Sequence, residues 1–163
     1  MATYTLIHGA GGDSWYWHLV APRLAALGHE VVAVDLPCDD DSAGLDEYAH
    51  CVLEAVGPRQ DVILVAQSLG GFTAPLVCER LPVSLMVLVN AMVPTPGEPA
   101  GQWWANTGHV FPDPFDPAEV FAHDVPADTQ DRHAADGITR GDIPRKAVTR
   151  QEEGASSSMA SPA

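Results

Sequence analysis

The stretch that decides the fold runs from residue 62 to residue 74 and reads Val-Ile-Leu-Val-Ala-Gln-Ser-Leu-Gly-Gly-Phe-Thr-Ala, with Ser68 at its centre. Its first four residues are apolar and predict a buried strand. Small residues, Ala66 and Gly70, stand two before and two after the serine, and a helical pattern follows. Bulky side chains at these two places would collide if the chain turned sharply from strand to helix. Their small size therefore predicts such a turn, with Ser68 at its tip.

Working outward from this turn, the chain up to residue 90 alternates between strand and helix patterns. Strands are predicted at 4–7, 30–36, 61–66 and 83–90, and helices at 14–27, 45–56 and 69–81. The apolar side of the first helix pattern carries Trp15, Leu19, Leu24 and Leu27. The second strand pattern holds the apolar run Val31-Val32-Ala33-Val34, which predicts burial on both faces. The alternation predicts an α/β fold, a parallel sheet of about four strands with helices on both faces.

The character of the chain changes after residue 90. Residues 91–126 carry seven prolines and five large aromatic residues. We interpret this segment as the start of a lid over the site, with short helices near 100–106 and 117–122. From residue 127 apolar residues become sparse, and such a composition cannot offset the entropy lost on ordering. The sequence thus predicts a core at 1–126 and a low-complexity, disordered tail at 127–163.

Charge and cysteine content limit the partners. The formal net charge is −14, with −15 on residues 1–131 and +1 on residues 132–163. An acidic body argues against nucleic acids and anionic membranes as partners. No run approaches the ~18 apolar residues of a membrane span, and no secretory signal pattern is present. Three widely spaced cysteines are expected as free thiols in a reducing cytoplasm, namely Cys38, Cys51 and Cys78.

The residues at the carboxyl ends of the first and third strands suit acyl transfer. That chemistry needs a placed hydroxyl, donors for the oxyanion and a base. Ser68 would be the nucleophile, and the backbone N–H groups of Ala10 and Leu69 would be the oxyanion donors. The supporting turn and elbow residues are His8, Gly9, Gly11, Gly12, Gln67, Gly70 and Gly71, and the candidate pocket residues are Trp15 and Asn90. We expect His8 to bond nearby backbone, and we expect no metal site, since the aspartates at 39–41 fit a solvated loop.

Three runs, 8–17, 34–37 and 66–71, resemble in order and spacing the small esterases of the α/β-hydrolase fold. That group includes plant methylesterases, hydroxynitrile lyases and their bacterial relatives. The resemblance covers residues 3 to about 126. It implies a partial α/β-hydrolase fold that acts on a small carboxylic ester through an acyl-enzyme, without a metal or organic cofactor.

The resemblance also implies a catalytic acid and then a histidine after Ser68, each following a further strand. Neither pattern is present. His109, His123 and His133 lie downstream but follow no strand pattern, so we expect none of them to be the base. The likeness stops near residue 132, which indicates a truncated or frame-altered C-terminus and an impaired activity.

Two alternative functions stay open. The chain would be an inactive hydrolase-fold binding module, or a non-functional fragment, if the base is truly missing. A lesser alternative is a dinucleotide-binding oxidoreductase domain, because the glycines at 9–12 follow a first strand and Asp35 ends the second. The third glycine of that fingerprint would fall at Ser14, which argues against it.

The strand pattern at 83–90 has a further implication. If no other strand pairs with it, its outer edge is apolar and carries unpaired backbone groups. Such edges recruit other chains, so we expect self-association through this edge.

Overall fold

The computed structural model describes residues 1–126 and Thr129. Its strands are β1 (Thr3–Ile7), β2 (Glu30–Val34), β3 (Val62–Gln67) and β4 (Val83–Val89). Its α-helices are α1 (Ala21–Ala26), α2 (Leu45–Val56), α3 (Gly70–Cys78), α4 (Ala100–Asn106) and α5 (Pro117–Phe121), and a 3₁₀ helix spans Ser14–Trp17. The predicted disorder of the tail falls, apart from Thr129, on residues outside this description.

The four strands form one parallel sheet in the order β2-β1-β3-β4. At the carboxyl end of β1, Ile7 pairs with Val34 of β2 and with Ala66 of β3. The turn after β1 and the turn after β3 therefore lie side by side at the carboxyl ends of the strands. Ligands bind at these ends in open parallel sheets.

Helices cover both faces of the sheet, as the alternation predicted. On one face α2 and α3 pack against Ile7 and Leu64, which are fully buried. On the other face Leu6 and Val65 pack with Trp17 and with residues of α1. A fully buried aliphatic side chain contributes about 1.5–3 kcal/mol, so Leu6, Ile7 and Leu64 of the central strands contribute strongly to the stability of the fold.

The prediction of one helix over 14–27 was wrong. A short 3₁₀ helix ends at Trp17 and α1 begins only at Ala21. Pro22 is the physical reason, because it has no N–H to donate to a carbonyl one turn earlier, and proline is accommodated in the first turn of a helix. The prediction of its apolar side was wrong at two positions, because Leu19 and Leu27 are 61% and 74% exposed. Trp17 is buried instead.

The prediction that the second strand is buried on both faces holds only in part, because its side chains pack on the core on both faces but most are incompletely covered. β2 is an outer strand of the described sheet, Glu30 is exposed, and Val34 is its one buried residue. The apolar run signalled a strand, but its place in the strand order is decided by the pairing of β1 with β3.

The proline-rich segment after β4 forms helices close to the two predicted places. The first of them, α4, packs against the beginning of α3 through a buried cluster that joins Ala100, Met92, Phe72 and Leu69. Trp103 packs on the same cluster and donates its Nε1–H to the Val93 carbonyl at 3.1 Å. The segment is thus anchored beside the turn that carries Ser68.

Candidate active site

Ser68 lies in a strained turn between β3 and α3. Its φ is 49°, in the left-handed region that side chains other than glycine rarely occupy. For an L-residue this conformation costs about 1–2 kcal/mol, so the surroundings must hold it in place. The predicted sharp turn from strand to helix is confirmed.

The small residues around Ser68 are explained by close backbone contacts. A Cβ on Gly70 would lie 3.1 Å from the His8 carbonyl oxygen and 3.2 Å from that of Ile7. A Cβ on Gly71 would run into the carbonyl oxygen of Met92. The turn can therefore lie against the segment after β4 only with glycine at position 71, and a larger residue at position 70 would require β1 to shift by a few tenths of an ångström.

Backbone hydrogen bonds fix the serine on both sides. Its N–H donates to the Val89 carbonyl at 3.3 Å. Its own carbonyl accepts from the N–H of Gly71 at 3.1 Å and from the N–H of Met92 at 2.9 Å. Sequence reasoning missed Met92, because the contact uses a backbone amide and leaves no signal in the side-chain type.

The glycine turn after β1 lies directly against Ser68. A Cβ on Gly9 would be 2.8 Å from the Ser68 Cβ, 3.3 Å from its Oγ and 2.5 Å from the Gln67 Oε1. Only glycine permits this approach, and Gly11 supports the turn with a positive φ of 65°. Within residues 1–126, no acceptor is bonded to the backbone N–H of Ala10 or of Leu69. Both predicted oxyanion donors thus have amides that remain able to donate.

His8 is fully buried and uses both ring nitrogens on backbone groups. Its Nδ1 lies 2.8 Å from the Gly9 carbonyl oxygen, which can only accept, so this nitrogen carries the proton. Its Nε2 accepts from the N–H of Leu36 at 3.1 Å. Burial lowers the pKa of His8, against the opposing effect of the Gly9 carbonyl. The imidazole is therefore a neutral link between the ends of β1 and β2.

The glycine turn does not have the surroundings that a dinucleotide would need. A pyrophosphate binds where an α-helix N-terminus follows the turn directly, but here α1 begins only at Ala21. The Asp35 carboxylate, the candidate ribose partner, accepts from the Ser14 N–H at 2.7 Å. The dinucleotide alternative does not fit this arrangement.

The two candidate pocket residues differ in their exposure to solvent. Trp15 is half-buried, and its ring stacks on that of His18 with centroids 4.0 Å apart. Asn90 is exposed, directly follows β4 and has a φ of 46°. The left-handed conformation of Asn90 was not predicted from the sequence.

A base for Ser68 is not found in the described part of the chain. No histidine there hydrogen-bonds the Ser68 hydroxyl; His109 packs instead against Trp104 and Phe111, and His123 is exposed. His133 lies outside the described residues. In the same part, no three histidine, cysteine or acidic side chains are grouped as a metal ion requires, and no helix has the length and apolarity to cross a bilayer.

Comparison with known proteins supports the resemblance to small plant esterases. Norfluorocurarine synthase 1 from a Strychnos species is 30% identical over 143 residues, which are 80% of this chain and 54% of that protein. Methylesterase 9 from Arabidopsis thaliana is 34% identical over 111 residues, or 61% of this chain and 43% of that protein. The chain thus spans about half the length of the curated relatives it matches.

Solved structures and a family model extend the comparison. The crystal structure of polyneuridine aldehyde esterase is similar with a TM-score of 0.58 and 25% identity, covering 75% of this chain and 51% of that one. An extracellular alpha/beta-hydrolase from a Paenibacillus species, at 20% identity and a TM-score of 0.64, covers 82% of this chain and 65% of that one and shows the fold alone. The model described as "Alpha/beta hydrolase family" matches residues 6–158. The chain therefore belongs to the alpha/beta hydrolase family.

Proposed function

We propose that this chain supplies the nucleophile and the oxyanion donors of a serine hydrolase that acts on small carboxylic esters. The observation that carries the proposal is the left-handed Ser68 at the carboxyl edge of the sheet, with the Gly9 turn packed against it. The similarity to proteins named esterases and methylesterases supports ester hydrolysis over other uses of the fold.

In this mechanism the Ser68 hydroxyl attacks the ester carbonyl carbon. The carbonyl oxygen becomes an oxyanion, which the N–H groups of Ala10 and Leu69 stabilise. One preorganised donor of this kind lowers the barrier by about 3 kcal/mol. The alcohol leaves with a proton, and water then hydrolyses the acyl-enzyme at the same site.

We expect the activity of this chain to be impaired. The described residues place neither a histidine nor an acid in hydrogen-bonding contact with the Ser68 hydroxyl. Residual catalysis by the oxyanion donors and substrate binding is about 10³-fold over water when triad members are missing. The same observation favours the second candidate function, an inactive hydrolase-fold binding module.

The proposal extends to the substrate, the cofactor and the cellular location. We propose a small-molecule ester as substrate, no cofactor, and a cytoplasmic location. The three cysteines at 38, 51 and 78 are free thiols, which is consistent with a reducing compartment.

Fluorophosphonate labelling of the purified chain tests the proposal, together with turnover of a short-chain nitrophenyl ester. The wild-type protein should label and turn over slowly, and Ser68→Ala should do neither. Ser84→Ala is the matched control, since Ser84 is an exposed serine of β4. Failure of the folded wild-type protein to label would favour the binding module, and labelling that survives Ser68→Ala would refute the role of Ser68.

A further inference from the structure

The segment that follows β4 holds the backbone of Ser68 from both sides. The last residue of β4, Val89, accepts the Ser68 N–H. Three residues later, Met92 donates its N–H to the Ser68 carbonyl at 2.9 Å. One short stretch of chain thus bonds both the N–H and the carbonyl of the strained serine.

Asn90 is the residue that lets the chain reach these two positions. It has a φ of 46°, and the chain bends at this point. Asparagine tolerates the left-handed region better than most residues, while β-branched residues are strongly disfavoured there. The Asn90 side chain is exposed and makes no hydrogen bond to any described residue, so its contribution lies in the backbone.

A second contact shows how closely the chain after Asn90 packs against the turn at Ser68. The Met92 carbonyl lies where a Cβ of Gly71 would be, and the Met92 side chain is buried with Leu69 and Phe72. Small displacements of Met92 would therefore move the beginning of α3 and, with it, the N–H of Leu69.

We propose that Asn90 is a positioning residue for the nucleophile. Its left-handed conformation delivers the Met92 amide to the Ser68 carbonyl and so stabilises the strained conformation of Ser68. The effect on reactivity depends on the proposed function, whereas the effect on the hydrogen bond does not.

Three variants separate this role from general stability. Asn90→Gly keeps the left-handed conformation accessible, and Asn90→Val penalises it. Asp61→Val is the matched control, because Asp61 also has a positive φ, 52°, but precedes β3 at the opposite end of the sheet. If Asn90→Val does not fold, Asn90→Ala applies the same penalty more mildly.

Amide hydrogen exchange followed by NMR is the first readout. In Asn90→Val the protection of the Met92 amide should fall by at least about tenfold relative to the protection of Leu64 in the core. Asn90→Gly should retain wild-type protection, and Asp61→Val should leave the Met92 amide unchanged relative to Leu64. Unchanged protection in Asn90→Val, or in Asn90→Ala if Asn90→Val does not fold, would overturn the proposal.

The rate of fluorophosphonate labelling at Ser68 is the second readout. It should fall in Asn90→Val and be restored in Asn90→Gly. Equal rates in all three Asn90 variants and the wild type would also overturn the positioning role. A wild-type protein that does not label at all would count against the proposed function alone, since the exchange measurement still decides the role of Asn90.

Discussion

At the scale of single residues, His8 shows how a polar group can be buried without being catalytic. Its neutral imidazole accepts the Leu36 N–H and donates to the Gly9 carbonyl, so it ties the glycine turn to the end of β2. Burial lowers its pKa below the usual 6.5. Protonation would abolish the acceptor and place a charge in the core, so acid must weaken the fold at this residue.

The stability of the protein should therefore fall as the pH drops below about 6.5. In that range the unfolded chain binds a proton at His8 that the folded protein does not, and the free energy of unfolding rises with pH. Urea unfolding at pH 7.5 and at pH 5.5 measures the difference. His8→Asn should reduce the pH dependence. An equal slope in wild type and His8→Asn would contradict this account.

Some features of the site can be predicted from the residue types in the sequence, and others cannot. Ser68 and the glycines around it follow from side-chain size, because steric limits in a sharp turn are visible in the residue types. The contribution of Met92 and the left-handed turn at Asn90 are backbone properties. Every residue except proline carries the amide that Met92 uses, and a lone asparagine after a strand does not by itself identify a left-handed turn.

At the scale of elements, the predictions succeeded where local pattern and tertiary packing agree. The helix predicted at 45–56 has those bounds, since an apolar side and a terminating Gly57 specify it locally. The helix over 14–27 was wrong because of Pro22, and the burial of β2 is incomplete because strand order is not a local property.

One buried hydroxyl in β1 lowers the free energy of unfolding. Thr5 of β1 is fully buried between β2 and β3, and its hydroxyl has no hydrogen-bond partner among the described residues. Thr5→Val should stabilise the protein by about 1–2 kcal/mol, because a buried hydroxyl without a partner is replaced by a methyl group. A higher urea midpoint with an unchanged slope would show this.

Thr107→Val provides the comparison for Thr5. The Thr107 hydroxyl is exposed and donates to the Trp104 carbonyl, so its removal should bring no gain. A loss of stability in Thr5→Val would mean that its hydroxyl does have a partner.

In the whole molecule, the outer edge of β4 differs from the rest of the acidic surface, because it is apolar and pairs with no described strand. Residues 81–97 contain no charged side chain, although the chain carries a net charge of −14. The outer edge of β4 pairs with no described strand, and Leu85 and Leu88 are 53% and 41% exposed. Like-charge repulsion between two copies is therefore weakest where the apolar edge is most available.

We expect the protein to self-associate by pairing β4 with β4 of a second copy. Raising the salt concentration should increase the associated fraction, because it screens the repulsion between the two acidic bodies. Size-exclusion chromatography with light scattering measures the mass. Leu88→Lys should yield monomers, and Leu19→Lys, at a more exposed position outside the strands, should not. A monomeric wild-type protein at high concentration and high salt would exclude this association.

A crystal structure of the fluorophosphonate-treated protein tests whether Ser68 and the amides of Ala10 and Leu69 form one acyl-transfer site. We expect phosphorus bonded to the Ser68 Oγ, with the phosphonyl oxygen about 2.7–3.1 Å from both amide nitrogens. An adduct on another residue, or a phosphonyl oxygen turned away from both amides, would contradict it.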